Sequence, residues 1–215
     1  MDIIVGTLKE YFDEDYKYLK QRNLERFIMM ARDRVAKKYL SMVLNPSTSI
    51  LSIRKQRFES EAERKDAADK IRKEGAQLKR CFREIGSECG TETDLEFDSP
   101  FIAIGAVADV IRADRDMLML DIGTFAKDYP DASEAQVLAL LAVRGDLSKT
   151  EAKDLVPDAS NTRAPKTRSI FSQVQVSAAS AAMDSSAVAS SAVRGVVERT
   201  KQITPKNLNP FGPDF

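Results

Sequence analysis

The chain has 215 residues, 43% of them hydrophobic and 31% charged, a composition that supports one core of ordinary size carried by amphipathic elements. Its 33 basic and 33 acidic residues cancel, which removes any whole-molecule attraction to nucleic acid. It contains no histidine, which excludes a Ser-His-Asp or Cys-His nucleophile, a histidine general base and any histidine metal site.

The first helix is predicted from Asp2 to Gln21, with Val5, Leu8, Phe12, Tyr16 and Leu19 spaced for one face. Ile3, Ile4 and Val5 stand at the very start with no capping residue ahead, the pattern expected of a longer helix entered partway. A second helix carries Leu24, Phe27, Ile28, Ala31, Val35, Tyr39 and Met42 in steps of three and four, and Asn45-Pro46-Ser47 stops it. The third runs from a Ser60/Glu63 capping-box pattern to Ile85. Ala68, Ile71, Leu78, Phe82 and Ile85 form its dry side, and Glu61/Lys65, Asp66/Lys70 and Asp69/Lys73 form ion pairs on the wet one.

Ser99 as cap and Pro100 at the first helical position predict a fourth helix with Ile104, Val107, Ala108 and Ile111 inward. A fifth is expected over Arg115–Lys127, turning in Leu118, Ile122 and Phe125, with Pro130 beyond its end. In the sixth, Ser133 and Gln136 make a capping box, Val137, Leu138, Leu140 and Leu141 supply core, and Gly145 suits a left-handed stop. Ser148 and Glu151 cap a short seventh that Pro157 closes. Seven helices with no alternating strand pattern predict an all-α fold, a helical bundle or stacked antiparallel helical hairpins, over residues 1–156.

Residues 157–215 are expected to form a largely disordered tail. Positions 176–193 hold seven alanines and six serines, and the last 59 residues have only three aromatics, too little apolar surface to offset ordering entropy. The tail carries seven basic and four acidic residues, leaving the helical part at −3.

Chemistry-bearing patterns are sparse. Neither a G-x-x-x-x-G-K-S/T loop nor a G-x-G-x-x-G turn is present, so both common phosphate cradles are missing and no small-molecule substrate or cofactor is expected. Asp13, Glu14 and Asp15 point in different directions around a helix and read as a solvated face. Cys81 lies on a dry stripe beside Phe82, as a small hydrophobe does, and two cysteines with no usable Asn-x-Ser/Thr site fit a reducing, cytoplasmic setting. Arg144-Gly145-Asp146 spells an integrin-binding tripeptide, yet its glycine falls where a helix must stop. Between Arg54 and Glu84, 11 basic residues face 7 acidic ones, which makes Arg64, Lys65, Arg72, Lys73, Lys79, Arg80 and Arg83 candidate contacts to anionic lipid. Asn209-Pro210-Phe211 in the tail is a candidate peptide motif, similar to the ligand of EH-domain endocytic proteins.

Three stretches resemble the C-terminal region of the exocyst component three family: Ala31-Arg32-Asp33 to Tyr39-Leu40, Ala67-Ala68-Asp69 to Gly86, and Ile104 to Asp146. The last holds Val107-Ala108-Asp109-Val110-Ile111, Lys127-Asp128-Tyr129-Pro130-Asp131 and Leu140-Leu141-Ala142-Val143-Arg144-Gly145-Asp146, in the family's helix, turn, helix order. The similarity covers about residues 20–150. It implies a non-catalytic helical rod segment of a complex that tethers secretory vesicles at the plasma membrane before SNARE-mediated fusion. Other exocyst subunits, SNARE proteins, small GTPases and anionic phospholipid are the partners it brings in. It also implies a coiled-coil assembly region N-terminal to the matched part. An alternative reading within the same family is a membrane-associated small-GTPase effector acting in membrane protrusion.

Overall fold

The computed structural model describes residues 1–15, 18–45, 58, 60–91, 94–156 and 168–176, all within one compact unit spanning Met1–Met183. Among them the chain forms seven α-helices and one 3-10 helix with no strand, the all-α fold the periodicity predicts. The α-helices are α1 (Asp2–Asp15), α2 (Gln21–Leu44), α3 (Glu61–Glu88), α4 (Leu95–Arg112), α5 (Leu118–Asp128), α6 (Glu134–Arg144) and α7 (Lys149–Asp154).

The antiparallel hairpin of α3 and α4 is the spine, α1, α2, α5 and α6 pack against it, and α7 packs on α6. Its seam is set by small and flat groups. Gly75 of α3 has no side chain, so Ile104 of α4 closes on the bare backbone, and a Cβ placed there would stand 2.9 Å from Ile104 Cγ2. Two turns on, Phe82 stacks on Phe101 with ring centroids 5.7 Å apart. Ile85, Leu78, Ile104, Val107 and Ile111 complete the dry layer.

Helix α1 ends at Asp15, earlier than the apolar spacing predicts, and α2 begins at Gln21. The break lets α1 fold back onto α3, with Phe12 buried and its ring 5.5 Å from Phe27 of α2. Leu19, expected inward, is 41% exposed on the connection, and Tyr16 lies outside the described residues. The buried line of α2 is also rotated from the expected one. Leu24, Ile28, Arg32, Ala36, Leu40 and Leu44 face the core at strict four-residue spacing, while Met42 is exposed. Arg32 hides that line from a hydropathy pattern. Its Nη1 donates to the Phe97 carbonyl at 3.0 Å and its guanidinium lies 5.1 Å from the Phe97 ring centroid, so the buried cation has partners.

Helix α4 starts at Leu95, not at the expected Pro100, because Asp94 caps it by accepting from the Phe97 amide at 2.8 Å. Pro100 therefore sits inside the helix and leaves the Glu96 carbonyl without its helical donor. Helix α5 starts three residues later than predicted but buries the expected Leu118, Ile122 and Phe125. The α6 and α7 capping boxes at Ser133/Gln136 and Ser148/Glu151 are both formed, and Gly145 ends α6 at φ 75°.

On α3 the Glu61/Lys65 pair forms at 2.6 Å, whereas Asp69 pairs with Arg72 and with Arg112 of α4 instead of Lys73. The hairpin seam recruits that carboxylate because α4 brings a guanidinium closer than the next turn of its own helix does.

Part of the stretch expected to be tail is in the core. Residues 168–176 are described, and Ile170, Phe171 and Val174 are buried around a 3-10 helix at Ile170–Gln173. The remainder of 157–215 lies outside the described residues. Among the described residues no helix is long and apolar enough to cross a membrane.

Candidate interaction surface

The basic stretch of α3 is mostly spent on internal pairing. Asp98 of α4, fully buried, receives Lys79 Nζ at 2.9 Å and Arg83 Nε at 2.9 Å. Arg64 is buried against Asp146 at 2.6 Å, Lys65 bridges Glu61 and Asp114, and Arg72 joins Asp69 and Asp109. Of the seven candidate lipid contacts, Lys73 and Arg80 are the two left exposed with no ion pair among the described residues.

Burial by itself would raise the Asp98 pKa, but hydrogen bonds from Arg83 and Lys79 and their charges outweigh it and hold the carboxyl below the usual carboxylate range. Its contribution is therefore complete above the unfolded value of about 3.9 and is lost as the pH falls through the lower folded value. Asp98→Asn should destabilise the chain at pH 7 by about 1–2 kcal/mol, a figure reduced for the partly exposed cations. Urea unfolding across pH should show the gap to wild type closing as the pH falls below the ordinary carboxylate range. A gap that stays constant would remove the ion pair as its source.

The Arg144-Gly145-Asp146 tripeptide is the second charged node. Arg144 is fully buried at the end of α6, and its Nη1 donates to the carbonyls of Val110 at 2.6 Å, Ile111 at 3.3 Å and Ala113 at 2.9 Å, the open end of α4. Nε and Nη2 grip Asp146 at 3.0 and 2.8 Å. Burial raises the Asp146 pKa, but the Arg144 hydrogen bond and the charges of Arg144 and Arg64 prevail and keep it low. The left-handed turn at Gly145 is what swings Asp146 back onto its own arginine. This arginine faces a helix end inside the fold and is not displayed as an integrin ligand would be.

No acid–base or nucleophilic constellation gathers at these nodes. Cys81 and Cys89 are free and buried, and burial pushes both thiols up, away from the reactive thiolate. Among the described residues no group of three or more potential ligands is placed to hold a metal, and Asp13 and Glu14 are exposed. Tyr39 donates to Glu74 Oε2 at 2.6 Å, and burial followed by that bond pushes its hydroxyl well up. Asn209, Pro210 and Phe211 lie outside the described residues.

What the surface does offer is an open groove of about 1030 Å³ along α2, floored by Met1, Ile4, Met30, Val35, Tyr39 and Met42. Met30 and Met42 are 68% and 59% exposed. Among the described residues, Arg34, Lys37 and Lys38 line the same groove without an internal ion pair, while the one acid lining it, Asp33, is occupied by Arg32 at 2.6 Å. Sequence reasoning missed this face because Met42 was assigned to the core stripe. The signal that marks it is two methionines separated by cations at helical spacing on one side of α2.

A family model described as exocyst complex component Sec6 matches residues 1–149, which spans α1 through α6. The chain is 29% identical to exocyst complex component 3 of Drosophila melanogaster over 163 residues, 76% of this chain and 20% of that protein. It is 23% identical to exocyst complex component 3 of Caenorhabditis elegans over 161 residues, 74% of this chain and 19% of that protein. An exocyst complex component 3-like protein of Danio rerio is 31% identical over 125 residues, 56% of this chain and 16% of that protein. The chain thus spans about a fifth of the length of the curated relatives it matches. No solved structure matches it at a significant level. With the family model covering more than two thirds of its residues, the chain belongs to the exocyst complex component Sec6 family.

Proposed function

We propose that this chain is a non-catalytic segment of an exocyst subunit, which presents rigid helix surfaces to other exocyst subunits while the complex tethers secretory vesicles at the plasma membrane. The observation that carries the reading is the family match running through six consecutive helices. The α2 groove supports it further, since uncompensated cations beside exposed methionines suit an apolar helix with acidic flanks. SNARE proteins, small GTPases and anionic phospholipid are finer partners within this proposal. Arg34, Lys37, Lys38, Lys73 and Arg80 are among the cations available to meet them.

The test is co-purification from cells with a tagged full-length parent protein. Wild type should recover exocyst subunits, and Met30→Asp with Met42→Asp should cut recovery about tenfold, the loss expected when two apolar anchors become charged. Because both side chains are exposed, the helical circular-dichroism melt should stay unchanged. A wild-type parent that brings down no exocyst subunit at any salt concentration would end the proposal.

A further inference from the structure

Residues 168–176 lie across the helical body as a strap. Phe171 meets the rings of Phe125 and Tyr129 at 5.2 and 5.0 Å, and Ile170 and Val174 are buried beside it. Gln136 Nε2 donates to the carbonyls of Phe171 at 2.8 Å and Val174 at 2.7 Å, and Asn45 Nδ2 donates to that of Gln175 at 3.0 Å. The N-terminal end is anchored differently, through one carboxylate. The Ser169 amide donates to Asp131 Oδ2 and its hydroxyl donates to Oδ1, both at 2.7 Å. Every proton in that anchor comes from Ser169, and Asp131 supplies only lone pairs.

The sequence ahead of the anchor is cationic. Arg163, Lys166 and Arg168 stand six, three and one residues before Ser169, and the apolar Ile170 follows it. Basic residues upstream and an apolar residue downstream are what the acidic substrate grooves of basophilic protein kinases accept.

We propose that Ser169 is a phosphoacceptor and that its modification releases the strap from the helical body. With ATP as co-reactant, Ser169 Oγ forms a bond to the γ-phosphorus, the bond from that phosphorus to the ADP oxygen breaks, and the hydroxyl proton passes to the kinase's base. A half-buried hydroxyl turned toward Asp131 is modified when the strap lifts transiently, and the phosphate then blocks its return. The donated hydrogen bond becomes an encounter between a phosphate of charge about −2 and a carboxylate. A phosphate at a helix N-terminus is ordinarily favourable, but this helix has only four residues and its cap position faces Asp131. Arg168, which is exposed, belongs to the strap itself, so pairing it with the phosphate does not hold the strap down.

The experiment uses the intact chain with ATP and the catalytic subunit of cyclic-AMP-dependent protein kinase, with mass spectrometry to place the phosphate and hydrogen exchange to follow residues 170–174. Phosphate should appear on Ser169, and exchange in that window should speed by about tenfold or more as the strap opens. Ser169→Glu should reproduce the opening, whereas Ser169→Ala, which removes the hydroxyl's bond to Asp131 and its acceptance from the Phe171 amide at 3.2 Å without adding repulsion, should speed exchange at Ser172 and Val174 by clearly less than Ser169→Glu does. Asp131→Asn combined with Ser169→Glu should restore protection, because an amide can donate where the carboxylate repels. The proposal is overturned if the phosphorylated chain exchanges like the unmodified one, if Ser169→Ala opens the strap as far as Ser169→Glu, or if Ser169 takes no phosphate.

Discussion

Arg144→Met should lower the unfolding free energy by about 3–5 kcal/mol, the range for removing one partner of a buried charged network. The carbonyls of Val110, Ile111 and the α4 cap residue Ala113 lose their shared donor and Asp146 loses two of its hydrogen bonds, keeping only Arg64 as a charged partner among the described residues. Methionine fills most of the volume, so the deficit is one of unpaired polar groups and not of packing. Arg144→Lys should recover little, since an ammonium is a point donor and cannot reach both the carbonyl ladder and the carboxylate in one fixed plane. Urea unfolding with unchanged m-values is the measurement. A loss under about 1 kcal/mol for Arg144→Met would mean that water satisfies the α4 end as well as the guanidinium does.

Gly75→Leu should cost about 3 kcal/mol, at the upper end of overpacking penalties. The first carbon alone arrives 2.9 Å from Ile104 Cγ2, and a branched side chain has no exit between two helices in contact. Gly75→Ala is the informative companion. Alanine gains helix propensity of about 1 kcal/mol over glycine but demands that Ile104 move, so its net effect should be small, with the tertiary circular-dichroism signal altered more than the helical one. Pairing either variant with Ile104→Ala should relieve the clash, and failure of that rescue would place the strain elsewhere. The result bears on the proposed function, because a spine that loosens would change the angle at which the α2 groove is presented.

Helix existence was legible along the described chain because apolar spacing and capping chemistry are local. Ser133/Gln136, Ser148/Glu151 and Gly145 sit where their side chains and backbone freedom require. Helix ends were less legible where two signals competed. Asp94 and not Ser99 caps α4, and the Phe97 whose amide it accepts from also carries Arg32 over its ring, a long-range contact with no trace in the local pattern. The rotated face of α2 has the same origin, since a buried arginine breaks the hydropathy stripe it belongs to.

The resemblance rested on segments that turn out to be structural nodes. Arg144-Gly145-Asp146 closes the end of α4, and Asp131, in the Tyr129-Pro130-Asp131 piece, holds the strap. The α3 cations show the converse. Their excess over acids is plain in the sequence, but Asp98 and Asp146, which neutralise three of them, come from segments that only folding brings near.

Residue order alone therefore determined the helical class, most of the caps and the family, because each depends on chemistry within a few positions or on similarity along the chain. Tertiary structure alone decided which cations stay free, that Phe171 is core, and that the outer face of α2 is a groove. Those outcomes depend on burial and on charges meeting across dozens of residues, and a carboxylate neutralises only the cation that the fold places within reach of it.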